Sequence, residues 1–364
     1  YPVLVRPSYV LGGRAMQIAY DKDNLESFSN EALEVSSNNV ILIDEYLENA
    51  KEIDVDIIRD KNGEIFVAGI MEHIEEAGIH SGDSACSLPP YSVSKETQNK
   101  IIEWVSKIAN EINVVGLMNT QLAIKDKKIY VLEVNPRASR TVPFVAKSKG
   151  IPVAKIAAKV MVGENLNSIL NDYKINELKN FNVKESVFPF NKFDGVDLIL
   201  GPEMKSTGEV MGIDETFLSS YIKSQIACGN ILPSKGTVFI SIDNDNKKFI
   251  IEIAQKLKEL DFNLLATKGT AEYLNTNNIK TKIVNKVKEG NPHVVDSLIN
   301  NEIQLVINTT KTQSSIRDSY SIRRTSLMYN IPYYTTIAGA KVAVDAIEHM
   351  KTQEFTIKSL QTIN

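Results

Sequence analysis

The sequence predicts an α+β region followed by a doubly wound α/β domain with a parallel sheet. Three observations carry this. In the first part, strand-like runs follow one another through hairpin signals, with few helices between them. A cluster at Gly229, Pro233, Ser234 and Gly236 then punctuates the chain. Beyond it, strands and helices alternate, the pattern of a parallel sheet with helices on both faces.

Taken in order, residues 1–20 read strand, glycine turn at Gly12-Gly13, strand. Residues 27–35 fit a short amphipathic helix. Three strands are expected at 40–46, 52–59 and 65–71, the last two joined by Asp60-Lys61-Asn62-Gly63, a strong hairpin signal. Residues 75–93 read as mostly polar loop, with Gly78, Gly82, Pro89 and Pro90. A helix over 94–111 has Ile101, Trp104, Val105 and Ile108 on one face, with Ser94 as cap and Glu96 in the first turn. Strands at 117–124 and 129–134 follow, turning at Lys125-Asp126-Lys127-Lys128. A helix is expected at 151–162, a helical or linking stretch at 165–183, strands and turns over 185–212, and a helix at 214–227.

After the punctuating cluster, strands are expected at 237–242, 263–266 and 305–308. Helices are expected at 247–260, 270–275, 294–300 and 312–330.

Composition narrows the function classes. The 364 residues suffice for two or three domains. With 43% hydrophobic and 24% charged residues, most of the chain is expected to fold. Lys+Arg is 41 against Asp+Glu 45, a net charge of -4, which disfavours nucleic acid or a membrane surface as the main partner. Two cysteines, Cys86 and Cys228, fit a reducing compartment and exclude a disulfide framework. No apolar run approaches a membrane span. The opening Tyr1-Pro2-Val3-Leu4-Val5 lacks an initiator Met and reads as the middle of a strand, so a piece of a longer protein is expected.

Two clusters carry chemistry. In the first, Glu133 and Asn135 stand two apart on a strand and share a face. Gln121, on the preceding strand, reaches that face across the hairpin. Three such oxygen ligands suit Mg²⁺ held between protein and phosphates. Arg137 and Arg140 follow directly and could neutralise charge on a transferring phosphoryl group. On spacing alone, a solvated polar strand end explains these residues equally well. Arg6 and the Gly12-Gly13 loop could hold phosphate through a guanidinium and backbone N–H groups. An ordinary hairpin would have the same appearance.

In the second cluster, Thr267 and Thr270 flank Gly269 at a strand-to-helix junction, where hydroxyls and N–H groups can bind an anion. Lys247 and Lys286 can add charge, and Asn308 and Thr310 close the pocket from the next strand end. Threonine caps and surface lysines are the plainer account.

These segments together resemble the ATP-grasp fold, and more closely the large subunit of carbamoyl-phosphate synthetase. The resemblance rests on residues 6–16, Met71-Glu72-His73-Ile74-Glu75, His80-Ser81-Gly82-Asp83-Ser84-Ala85, residues 133–147 and residues 201–212. It matches the second of that subunit's two ATP-grasp halves through Tyr9-Val10-Leu11 and Glu133-Val134-Asn135-Pro136-Arg137. Ala266-Thr267-Lys268-Gly269-Thr270-Ala271, Val284-Asn285-Lys286-Val287 and Ile307-Asn308-Thr309-Thr310 resemble its methylglyoxal-synthase-like end.

The resemblance implies domains at 1–162 (ATP-grasp, truncated at its N-terminus), 163–229 (an extension of that synthetic domain) and 230–364 (the allosteric domain). It implies that Arg6 contacts nucleotide phosphate, Glu45 and Leu47 lie beside the adenine, and Glu52 binds the ribose. Gly78, Ile79, His80 and Ser81 would line the nucleotide pocket. Gln121, Glu133 and Asn135 would hold Mg²⁺ or Mn²⁺, and Arg137 and Arg140 would face the acyl phosphate. The implied reaction is phosphorylation of carbamate by ATP, for pyrimidine and arginine biosynthesis in the cytoplasm. A small amidotransferase subunit is the implied partner, and a homo-oligomer is allowed.

At the second cluster the resemblance implies an allosteric nucleotide, UMP or IMP. His73, Glu75, Asp83, Glu185 and Thr335 would bind an amine effector, although solvated carboxylates explain them as well. The alternative for the whole chain is a nucleotide-binding regulatory fragment without a complete activity.

Overall fold

The computed structural model describes residues 1–8, 13–36, 40–175, 177–193, 195–353, 357 and 359. Tyr9, Val10, Leu11 and Gly12, the start of the expected glycine loop, lie outside the described residues. The chain forms two compact units. One gathers Tyr1–Tyr46, Val187–Gly208 and the stretch from Gln225 through Thr352. The other contains Leu47–Ser186 and Glu209–Ser224.

The first unit opens with strands β1 (Val3–Pro7) and β2 (Gln17–Ala19), helix α1 (Lys22–Val35) and strand β3 (Ile41–Glu45). The strands form an antiparallel sheet in the order β2-β1-β3. α1 begins five residues before the expected start, because the Asp21 carboxylate accepts the Asn24 N–H and caps it there. Val5, Ala19, Phe28 and Ala32 make the small core beneath.

The second unit is built on β4 (Lys51–Arg59), β5 (Ile65–Glu76), β6 (Cys86–Leu88), α2 (Lys95–Glu111), β7 (Gly116–Lys125), β8 (Lys128–Asn135), α3 (Val142–Lys149), α4 (Val153–Met161), α5 (Leu166–Leu170), β9 (Phe181–Val187), β10 (Gly208–Asp214) and α6 (Phe217–Ala227). Its seven strands run β10-β9-β6-β5-β4-β7-β8. The Ser94 hydroxyl caps α2 as expected. The β7–β8 turn places Asp126 and Lys127 at φ +49° and +64°, the left-handed pair a two-residue hairpin requires.

Two expectations change. β5 runs five residues past its expected end, to Glu76, and within the mostly looped stretch Cys86–Leu88 pairs with both β5 and β9. Three residues are too few to show a period, so β6 has no sequence signature. The helix α3 was also not expected.

The two faces of this sheet differ. Ile53, Val55 and Ile57 of β4 pack with Met118 and Leu122 of β7 beneath Ile101, Val105 and Ala109 of α2. On the other face, α3, α4 and α5 cover only the end carrying Ile58, Ala68, Cys86 and Leu88. The remainder of that face holds Glu52, Asp54 and Asp56.

The rest of the first unit alternates β11 (Thr237–Ser241), α7 (Lys247–Glu259), β12 (Asn263–Ala266), α8 (Lys268–Thr276), β13 (Lys282–Ile283), α9 (Val294–Ile299), β14 (Leu305–Asn308), α10 (Gln313–Asp318), α11 (Tyr320–Met328), β15 (Tyr333–Tyr334) and α12 (Ile337–Thr352). The sheet is wholly parallel, in the order β13-β12-β11-β14-β15. This is the doubly wound arrangement expected. The single helix expected at 312–330 breaks at Ser319, and β13, β15 and α12 were not foreseen.

Candidate functional site

Antiparallel register builds the first site. Glu52, Asp54 and Asp56 alternate with apolar residues along β4, so all three point to one face. Across the ladder they meet Ala123, Gln121 and Asn119 of β7. Gln121 in turn faces Glu133 of β8, and Asn119 faces Asn135. The three expected ligands therefore share one face. Asn135 Nδ2 donates to Glu133 Oε1 at 2.6 Å, and Gln121 Nε2 donates to the Ser81 hydroxyl at 3.2 Å. Both amide nitrogens are thus engaged, and both amide oxygens remain as donors beside the Glu133 carboxylate. Among the described residues, no three His, Cys, Asp or Glu side chains gather to hold a metal. One carboxylate with two amide oxygens is still a hard-oxygen set. It fits Mg²⁺ or Mn²⁺ when phosphates and water complete the shell.

Buried charge surrounds this set. His73 Nε2 lies 3.0 Å from Asp54 Oδ2, and Nδ1 lies 3.9 Å from Glu52 Oε1. Burial pushes the Glu52 carboxyl up to about 7. The His73 imidazole and the Gly78 N–H oppose the rise, and Asp54 adds to it. Burial alone would discharge His73, but Glu52 and Asp54 outweigh it and the net direction is up. Lys184 is buried in the same row: β9 pairs it with Cys86, which pairs with His73. Its ammonium donates to Ser81 O at 3.1 Å and fixes the loop that carries His80.

His80 Nδ1 accepts the Gly82 N–H at 3.0 Å, which leaves the proton on Nε2. Burial and the Arg140 charge lower its pKa against the opposing pull of Asp83. His80 is therefore a neutral hydrogen-bond donor. Cys86 is fully buried, and burial pushes its thiol up to about 12, so it is not a nucleophile.

Gly78 lies at φ +108°, a conformation that favours glycine and aims its N–H at Glu52. Leu47 packs on Ala50, Ala77 and Ala123, a small apolar platform beside Glu52. Ile79 is buried. Arg137 and Arg140 are exposed on the loop after β8. Arg6 and Glu45 belong to the three-stranded sheet, where Arg6 Nε lies 2.8 Å from Asp44 and Glu45 ends β3, exposed.

Sequence reasoning missed Asp54, Asp56, Asn119 and Lys184. The signal for the first two was present: Glu-Ile-Asp-Val-Asp alternates acid with apolar residues. Asp56 accepts from Asn119 Nδ2 at 2.9 Å, Ser139 Oγ at 2.8 Å and Thr141 Oγ1 at 2.7 Å. Ser139 and Thr141 also lie 2.7 Å apart. Burial pushes the Asp56 carboxyl up to about 6, against the hydrogen bonds of Thr141, Asn119 and Ser139.

The amine-effector residues divide. His73 and Glu75 both lie on β5, and Glu75 accepts the Ala85 N–H at 2.8 Å. Asp83 is buried in the adjoining loop. Glu185 alternates with Lys184 along β9 and so faces the other side of the sheet. Thr335 belongs to the other unit.

In the parallel sheet, the second cluster collects where the strands end. Thr267 and Thr270 are buried at the start of α8, and the Thr270 hydroxyl accepts the Ile242 N–H at 3.1 Å. Thr267 Oγ1 lies 3.3 Å from Ser241 Oγ, and Asn308 Nδ2 donates to Ser241 O at 3.3 Å. Ser241 thus ties together residues from three strand ends. Tyr333 donates to Asn308 Oδ1 at 2.7 Å. Lys247 Nζ comes within 3.6 Å of the position a Cβ would take on Gly269, so its charge sits over the start of α8. Lys286 and Thr310 lie on the loops after β13 and β14.

The sheet unit with its polar face has the ATP-grasp, biotin-carboxylase-like fold. A biotin carboxylase–β-γ-ATP complex from Campylobacter jejuni superposes with a TM-score of 0.50 at 17% identity, covering 62% of this chain and 56% of that chain. Sequence comparison is more specific. Residues 1–169 match the family Carbamoyl-phosphate synthase L chain, ATP binding domain, and residues 249–335 match the MGS-like domain. The carbamoyl phosphate synthase large chain of Myxococcus xanthus is 51% identical over 361 residues, 99% of this chain and 33% of that protein. The large chain's C-terminal section from Methanopyrus kandleri is 48% identical over 371 residues, 100% of this chain and 68% of that protein. The chain belongs to the carbamoyl phosphate synthase large chain family. It spans about a third of the full-length relatives.

Proposed function

We propose that this chain carries the site at which ATP phosphorylates carbamate to carbamoyl phosphate, with a nucleotide-responsive module behind it. The observation that carries the reading is the register of β4, β7 and β8, which sets Glu52, Gln121, Glu133 and Asn135 on one polar face. Glu52 accepts the ribose hydroxyls, and the Leu47–Ala77–Ala123 platform meets the purine. Gly78, Ile79, His80 and Ser81 line the pocket, with His80 donating from Nε2. Gln121, Glu133 and Asn135 hold the divalent cation, which when bound neutralises phosphate charge.

A carbamate oxygen attacks the γ-phosphorus, and the bond to the β-bridging oxygen breaks with its electron pair leaving on ADP. Arg137 and Arg140 take up the charge of the transferring group. Positioning and charge neutralisation carry such a reaction, and no covalent nucleophile is needed.

We assign 1–162 to the ATP-grasp domain, 163–229 to its extension and 230–364 to the allosteric domain. Thr267, Thr270, Asn308, Thr310, Lys247 and Lys286 bind the phosphate of a nucleotide effector, UMP or IMP, and of the expected amine-binding residues His73, Glu75 and Asp83 serve an amine. A small amidotransferase subunit supplies ammonia, and the enzyme works in the cytoplasm for pyrimidine and arginine synthesis. Among the described residues, no helix is long and apolar enough to cross a membrane.

Glu133→Ala in the complete enzyme should abolish ATP formation from carbamoyl phosphate and MgADP. Wild-type rates in that variant would refute the metal-binding role.

A further inference from the structure

We propose that Asp56 is a positioning residue for Arg137 and Arg140, holding the loop at 136–141 that presents them. The proposal rests on the reading that these arginines meet the phosphoryl group. Its own basis is the hydrogen bonding of that loop. Arg140 stands between Ser139 and Thr141, and both hydroxyls donate to the two oxygens of one carboxylate. The loop is thereby clamped on either side of Arg140.

Three features say the clamp is directed at the loop. Asp56 is 1% exposed, and burying a carboxylate costs several kcal/mol before its partners offset it. A fold that needed only packing there could use an apolar residue, as β4 does two positions on at Ile58. Thr141 occupies the N-cap position of α3 yet makes no side-chain capping bond. Its hydroxyl goes to Asp56 instead, so the helix gives up its side-chain cap. Finally, Asn119 donates to Asp56 from β7 and stands opposite Asn135 of β8. One carboxylate therefore references the arginine loop to the strands that carry Gln121, Glu133 and Asn135. Misplacing a charge-neutralising group by about 1 Å can cost on the order of 100-fold in rate.

The test uses the complete enzyme and measures ATP formation from carbamoyl phosphate and MgADP. Asp56→Asn should lower kcat by about 10- to 100-fold, with the KM for MgADP changed less than about threefold. In an Arg140→Lys background the same substitution should add less than about threefold, because a clamp on a compromised arginine has little left to position. Thr141→Val should reproduce the loss and Thr141→Ser should restore the rate. This pair decides the matter if Asp56→Asn does not fold. Unchanged kcat in Asp56→Asn, or its full loss repeated in the Arg140→Lys background, overturns the positioning role and leaves the arginine reading intact. Wild-type kcat in Arg140→Lys alone overturns the arginine reading, and the proposal falls with it.

Discussion

Glu52 is where charge, burial and ligand recognition meet. Its carboxyl titrates near 7 in place of 4.5, chiefly because it is buried. The folded pKa is above the unfolded one, so the native state binds the extra proton between those values. The unliganded protein therefore loses stability from this group as pH rises from about 4.5 to 7. In the role proposed for Glu52, nucleotide binding would run the opposite way, because two ribose hydroxyls donate best to an ionised carboxylate. The affinity for MgADP should rise by up to tenfold per pH unit below 7 and level off above it. Glu52→Gln should bind weakly and flatten that profile. Calorimetric titrations at several pH values check this, and a wild-type slope retained by Glu52→Gln would remove Glu52 from the site. The residues around Glu52 show what sequence can reveal. The alternation in Glu52-Ile53-Asp54-Val55-Asp56 announces a shared face. The partners Asn119 and Lys184 come from strands whose pairing no local pattern specifies.

Among the elements, those with a period or a punctuating turn were legible: α2 with its Ser94 cap, the β7–β8 hairpin, and the alternation from β11 to β14. Those held by context were not. β6 is three residues between two partners, and β13 and β15 have two residues each. The hairpin at Asp60 shows how one legible turn does a second task. Its carboxylate accepts from the Asn62 and Glu64 N–H groups of the turn at 2.8 and 3.1 Å, as the turn signal implies. It also accepts the Leu166 N–H at 3.1 Å, so it starts α5, an element distant in sequence. Burial would raise its pKa, but the N–H groups of Leu166, Glu64 and Asn62 outweigh this and hold it below the usual carboxylate range. Its contribution is thus present above the unfolded pKa and is lost as pH falls through the folded one. Asp60→Ala should cost about 1–3 kcal/mol in chemical denaturation, chiefly because the buried Leu166 N–H loses its acceptor. A cost below about 1 kcal/mol would mean that water replaces the carboxylate at these N–H groups.

At the scale of the whole molecule, the least legible feature is how separated stretches group. The segment Val187–Gly208 leaves the seven-stranded sheet and belongs with the parallel-sheet unit. Two neighbouring arginines on α11 hold it there. Arg324 donates to the backbone carbonyl of Phe190 at 3.2 Å, and Arg323 forms a two-pronged pair with Asp197. Arg323 has no exposed side-chain surface, whereas Asp197 is 26% exposed. The consequences of losing either partner are therefore unequal. Asp197→Ala strands a guanidinium in the interior and should cost about 3–5 kcal/mol. Arg323→Met should cost less, because the carboxylate it leaves can turn to water. Asp197→Leu combined with Arg323→Met should recover most of the loss, as packed apolar pairs often match a buried ion pair. Unfolding of the parallel-sheet unit, followed in denaturant, orders the three variants. If Asp197→Ala and Arg323→Met cost the same, the pair acts as two independent contacts and the segment is held chiefly by its packing.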